Sequence, residues 1–301
     1  MDSKPPKGSS AAGTKLRTLD LRPRQGEALK PSELIQINGH AALTLNARRA
    51  ITVLWHHAHM QGIEENRDYT IEIDELKSDG HKGYEMVVEA VEMLMRTILV
   101  VRMENGNLTR VQFLGGNDMS DPDRAAGVLT YSFDKRLIGL LRNSNIWGKI
   151  ALPVLMAFNS KYAISLYENV AQVVNLEHVT HCDYTLEEFR DMLGVQAKRY
   201  AAFGELNRHV IKLAVDEINA LAHFDLTILP IKQGKKVTDI RVAWHLKSES
   251  ALRAAWQEGK QGRTGRRARI AGRGDAVLAP ERSIGRGLRT DRKRVGSPKT
   301  S

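Results

Sequence analysis

Apolar positions recur along the middle of the chain with two periods, and the order in which those periods alternate is repeated. LTLNARRAITVLWHHAHMQG (43–62) puts Ile51, Leu54 and Trp55 on one side of a helix capped by Asn46 or Thr44. YTIEIDEL then begins at Tyr69 and YTLEEFRDML at Tyr184; both read Tyr-Thr-aliphatic-Glu leading into a short helix. Each is followed by a turn region (77–83 and 194–202), a longer helix (84–96 and 203–221) and a β-hairpin (97–114 and 224–244). The first hairpin turns at Asn105-Gly106, a strong tight-turn signal. The second turns around Gly234.

Helix, turn, helix, hairpin is the order of a winged helix. Its double occurrence predicts an internal duplication. The fold class expected is α+β: two tandem winged-helix domains with disordered basic termini. Residues 1–33 read as a disordered tail, 34–150 as the first domain, 151–247 as the second and 248–301 as a disordered basic tail, with a short helix near 250–258 compatible with the pattern. Between the domains, Pro153 disfavours one continuous helix, and the segment after Asn159 or Ser160 reads as a helix capped there.

Charge changes the picture through its placement. The formal net charge is +10. Residues 248–301 hold 14 Lys and Arg against 5 Asp and Glu, and residues 1–33 hold 7 against 4. Residues 34–247 hold 24 against 26, so the middle of the chain is slightly acidic and any surface for a polyanion there must be local. A run of about 18 apolar residues is absent, which predicts no membrane partner. The first fifteen residues lack the apolar core of a secretory signal, and the lone Cys182 suits a reducing cytoplasm.

Against that acidic background, Lys232, Lys235 and Lys236 crowd one hairpin turn, with Arg241 further along the same hairpin. The helix 203–221 carries Phe203, Leu206, Val210, Leu213, Ala214 and Leu221 on one stripe. Glu205, Arg208, Lys212, Asp216 and Asn219 lie opposite, Asn207 sits at the edge, and Glu217 falls inside the apolar arc. Lys198 and Arg199 precede the helix, within reach of a phosphate at its N-terminal end. In helix-turn-helix docking the second helix enters the major groove. Arg reads guanine and Asn adenine there, while lysines on a wing meet phosphates. The second domain is therefore expected to be the main reader of double-stranded DNA. The first holds 13 Lys and Arg against 15 Asp and Glu, and only His81, Lys82, Arg96 and Arg110 are candidate phosphate contacts. It is expected to be an auxiliary DNA-contact or protein-contact domain.

SKYAISLYE (160–168), the Tyr-x-x-Phe-x-x-Leu spacing of YAAFGEL (200–206), DEINAL (216–221) and KQGKKVTDI (232–240) together resemble the iteron-binding plasmid replication initiators over roughly residues 34–247. The resemblance implies tandem winged helices that bind repeated origin sites and start replication with a host replication initiator and the replicative helicase. It also implies a bacterial cytoplasmic protein in a monomer–dimer equilibrium, whose dimers repress its own gene or pair origins. It gives the second domain most base contacts and the first a part in dimerisation. The long basic tail departs from a compact member of that family.

Other classes weigh less. A winged-helix transcriptional repressor without initiator activity shares the same DNA-reading elements. His57-Ala58-His59 matches the His-hydrophobic-His element of rolling-circle nickases, but that chemistry needs both histidines on a strand holding a metal, and here they fall in a helical pattern. His181-Cys182-Asp183 lacks partners at zinc spacing and reads as a loop. A Walker phosphate loop does not occur. The expectation is a non-enzyme without metal or other cofactor.

Overall fold

The computed structural model describes residues 23–36, 42–77, 83–102, 107–120, 127–141, 144–196 and 198–271. Residues 1–22 and 272–301, most of the two expected tails, lie outside these, as do His81, Lys82 and the Asn105-Gly106 turn. The chain divides after Thr264 into two compact units.

The first unit opens with a correction. Residues expected in the N-terminal tail form β1 (Glu27–Pro31) and α1 (Ser32–Ile35). Ala28 and Leu29 are buried, and β1 pairs antiparallel with β7, 120 residues later (Pro31↔Trp147 to Glu27↔Ala151). A five-residue strand whose partner is so distant leaves no local signature.

The first winged helix comprises α2 (Leu45–Met60), β2 (Tyr69–Glu72), α3 (Ile73–Leu76), α4 (Tyr84–Arg96), β3 (Ile98–Arg102), β4 (Leu108–Gln112), β5 (Leu114–Met119), β6 (Val128–Phe133) and α5 (Lys135–Leu141). Thr44 caps α2 by accepting from the Ala47 amide at 3.2 Å. The core joins Leu54 and Trp55 of α2, Val87, Val91 and Leu94 of α4, and Tyr69, Tyr131 and Phe133 of the sheet. Trp55 meets Phe133 edge-on at 5.6 Å.

β7 (Trp147–Ala151) and α6 (Leu152–Ala157) connect the two domains, with Pro153 in the first turn of α6, where a missing amide costs nothing. The second winged helix comprises α7 (Lys161–Ala171), β8 (His181–Thr185), α8 (Leu186–Leu193), α9 (Phe203–Leu206) running through a π-helical turn (Asn207–Ile211) into α10 (Lys212–Leu221), β9 (Phe224–Gln233) and β10 (Lys236–Leu246). His181-Cys182-Asp183 is thus strand, not loop. Ser160 caps α7, and Glu217 sits in the apolar arc because it completes that cap. Its carboxylate accepts from the Asn159 and Ser160 amides at 3.1–3.2 Å while only 4% exposed.

Strand order shows the duplication and revises one part of it. β8 pairs β10, which pairs β9; in the first domain β2 pairs β6, which pairs β5. The strand pair equivalent to the second wing is therefore β5–β6, joined through residues 121–126, which lie outside the described set. The hairpin that the sequence assigns as the first wing, β3–β4, is a separate two-stranded ladder inserted after α4.

A buried polar cluster joins the domains. Lys30 Nζ of β1 donates to Glu168 Oε1 of α7 at 2.7 Å and to Thr52 Oγ1 of α2 at 3.1 Å. Arg48 of α2 donates to Ser165 of α7, and Arg49 to the Phe158 carbonyl. Burial lowers both guanidinium pKa values to about 10. Trp55 Nε1 donates to the Leu29 carbonyl at 2.8 Å.

Past the second domain, α11 (Glu249–Lys260) is longer than the short helix expected there, and Ala255 seats it on α10 and α6. The second unit contributes one described helix, α12 (Arg266–Ile270). No helix among the described residues is long and apolar enough to cross a membrane.

His57 and His59 lie on α2. The Tyr131 hydroxyl donates to the Leu54 carbonyl at 2.7 Å, so His57 Nδ1, 2.9 Å from that oxygen, is the donor to it. The His59 ring approaches Trp147 at 5.5 Å. Burial lowers the pKa of His56, His57, His59 and His223 below the usual imidazole value of 6.5. The unfolded chain therefore binds more protons, and the stability these neutral rings contribute is present above pH 6.5 and lost as pH falls below it. The urea midpoint should drop between pH 7.5 and 5.5. His57→Gln with His59→Gln should reduce that drop; a drop of unchanged size in the variant would refute the assignment.

Candidate nucleic-acid interface

The second domain builds its candidate surface in three steps. Thr185 opens α8 with a capping box: its hydroxyl accepts from the Glu188 amide at 3.2 Å and the Glu188 carboxylate accepts from the Thr185 amide at 2.8 Å. Gly194 closes α8 at φ 69°, the left-handed conformation glycine adopts without strain. A turn then carries Lys198 and Arg199, both exposed, to the start of the helix 203–221.

That helix is widened at its start. Leu206, Val210 and Ile211 are buried, whereas Asn207, Arg208, His209 and Lys212 are exposed. The π-helical turn Asn207–Ile211 takes up an extra residue, so three consecutive polar side chains reach solvent before the α-helical register resumes. The Arg208 side chain is 69% exposed and lies 3.3 Å from both carboxylate oxygens of Glu205. His209 Nε2 is 3.1 Å from Glu205 and 3.2 Å from Arg208 Nε. Asn219, expected on the outer face, instead bonds the Leu226 amide and carbonyl of β9 at 2.7 and 3.0 Å, fixing the hairpin to the helix.

The wing is the β9–β10 hairpin. Gln233 pairs with Lys236 across a two-residue turn in which Gly234 has φ +62°. Lys232, Lys235 and Lys236 are all exposed around this tip. Arg241 does not join them. It lies in mid-strand opposite Asp183 of β8, Nε to Oδ1 and Nη2 to Oδ2 both 2.7 Å, and this pairing holds the Asp183 carboxyl below the usual range. Its guanidinium is engaged by Asp183 across the sheet, away from the hairpin turn.

In the first domain, Arg110 is exposed on β4 of the inserted hairpin, across from Val100, and so is not on a wing. Arg96 pairs with Glu92 at 2.8 Å. Lys82 lies outside the described residues. Among the described residues no three His, Cys, Asp or Glu side chains could hold a metal ion. His209 and the pairing of Glu205 with Arg208 lie outside the expected site, although their i,i+3 and i,i+4 spacings are visible signals. The π-turn gave none.

Residues 28–171 match a family model described as initiator replication protein, WH1, and residues 185–244 one described as initiator Rep protein, WH2. A crystal structure of the Pi initiator protein in complex with iteron DNA is similar over 76% of this chain and 100% of that one, at 17% identity and a TM-score of 0.59. A structure of domains 2 and 3 of RctB aligns over 77% of this chain and 95% of that one, at 12% identity and a TM-score of 0.41. The comparison with curated proteins gave no match.

Proposed function

Since the chain belongs to the family of initiator replication proteins built from WH1 and WH2 domains, we propose that it binds directly repeated iteron DNA at a plasmid origin through Arg208, Asn207 and Lys212 of the recognition helix. Lys198 and Arg199 on the preceding turn, and Lys232, Lys235 and Lys236 on the wing, grip the backbone. The observation that carries this is the exposure of cations on three elements of a domain with no net charge: the turn before the helix, the π-helical turn within it and the wing tip. The iteron complex of the similarly folded Pi initiator supports the choice of DNA class. Host replication initiator and replicative helicase are the partners of origin opening, which takes place in the bacterial cytoplasm. Dimers serve autorepression. The chain itself acts by binding rather than by catalysis.

Footprinting on the DNA flanking its gene should give a ladder of protected direct repeats; uniform cleavage throughout would overturn the proposal. Arg208 is held by Glu205 in the free chain and must exchange that carboxylate for a base edge. Arg208→Ala is expected to weaken binding to the repeat by about 1–3 kcal/mol and relax the preference at one base position. Titration against a panel of single-base repeat variants checks this. An unchanged preference at every position would remove Arg208 from base contact.

A further inference from the structure

The turn ahead of the recognition helix is strained at two residues. Lys198 has φ 68° and Tyr200 φ 54°, both in the left-handed region that side chains with a Cβ enter at a cost, and they bracket Arg199. Such a turn persists only where its surroundings hold it. The holding contacts converge from both flanking helices. From α8, Arg190 donates Nη1 to the Tyr200 carbonyl at 2.8 Å and Nη2 to the Arg199 carbonyl at 2.6 Å. From the recognition helix, the His209 ring stacks on Tyr200 with centroids 5.6 Å apart and planes 21° from parallel. The Arg199 guanidinium lies over the Tyr200 ring at 5.1 Å.

Arg190 spends its planar fork on two successive carbonyls of this turn. A lysine, a single nitrogen on a flexible stem, lacks the fixed two-nitrogen spacing that holds both carbonyls in this geometry. The residues so fixed at the backbone are Arg199 and Tyr200, and Arg199 with its neighbour Lys198 are the exposed cations that precede the recognition helix. We propose that Arg190 is a positioning residue for DNA binding: it clamps the strained turn so that Lys198 and Arg199 meet two backbone phosphates beside the groove that Arg208 enters. This rests on the reading of the second domain as the DNA-binding one. Without the clamp the strained turn relaxes, and the two cations no longer stand where they meet the phosphates, so those contacts are lost.

The experiment is the salt dependence of binding to a direct-repeat duplex between 0.05 and 0.2 M, on the full chain. Each phosphate contact adds about 0.9 to the slope of log K against log salt. Arg190→Lys keeps the net charge, yet its slope should fall by about 1.8, so that it loses about 12-fold less affinity over this range than the wild type. Lys198→Ala with Arg199→Ala should lose the same slope, and adding Arg190→Lys to that pair should remove nothing more. A purely structural arginine would change affinity without changing the slope. A wild-type slope in Arg190→Lys overturns the proposal, as does a loss that adds to that of the alanine pair. If Arg190→Lys does not fold, the alanine pair, which removes no backbone contact, decides: a wild-type slope there overturns the proposal too. A wild-type chain that binds no duplex overturns the DNA reading itself, and is distinguished by that result from failure of the clamp alone.

Discussion

Glu168→Ala is expected to lower folding stability by about 3–5 kcal/mol, the cost of breaking a buried ion pair by removing one partner. Glu168 is 4% exposed and Lys30 3%. Burial already pushes the Lys30 ammonium pKa down, and Glu168 is what opposes that shift. With the carboxylate gone, Thr52 Oγ1 would be the remaining bonded oxygen at 3.1 Å, and the ammonium would have to shed its proton or draw in water. The same deletion removes the carboxylate that favours the charged form of Arg48. The cluster ties β1 and the first helices of both domains, α2 and α7, so the loss should appear in unfolding of the two domains together. Urea unfolding at pH 7 measures it. Replacing both partners, Lys30→Met with Glu168→Leu, should cost much less than the single change, because neither charge is then left buried alone. Equal losses in the single and double variants would mean that the pair is not what holds this junction.

The fold was legible where its signals are local. Tyr-Thr-aliphatic-Glu marks a strand running into a short helix at both Tyr69 and Tyr184, and the side chains of Thr44 and Ser160 announce helix starts. Pairing partners were not legible. Leu-Gly-Gly-Asn-Asp-Met makes a poor strand by propensity, so β5 was passed over, while Asn105-Gly106 made β3–β4 the obvious hairpin. Both hairpins exist, and only the ladder to β2 says which carries the wing. Likewise β1 reads as a tail because the carboxylate that justifies Lys30 lies 138 residues away. At the site, spacing and charge found Lys198, Arg199, Arg208, Lys212 and the wing lysines as exposed cations. Sequence spacing could not show that Arg241 faces Asp183 across a strand, nor that Arg190 reaches two carbonyls nine and ten residues on. Glu217 looked out of place on an apolar stripe until the amides of Asn159 and Ser160 supplied its partners.

Replacing Lys232, Lys235 and Lys236 together with alanine is expected to weaken binding to every duplex, iteron or not. All three side chains are exposed around a two-residue turn, so the change should leave the urea midpoint in place. The strands flanking the turn are paired down to Gln233 and Lys236, with a bulge between Val237 and Asp239 that adds twist near the tip. On the proposed function, the wing would meet DNA as a preformed arm, with its lysines as point charges on phosphates rather than as readers of bases. Three lost contacts would flatten the slope of log K against log salt by about 2.7, so that between 0.05 and 0.2 M the variant loses about 40-fold less affinity than the wild type. The ratio of iteron to random-sequence affinity should stay near its wild-type value, whereas Arg208→Ala should reduce that ratio. A triple variant that keeps its salt slope, or that loses iteron binding while holding random DNA as tightly as before, would take the wing off the phosphates and leave the recognition of DNA to the helix and its turn.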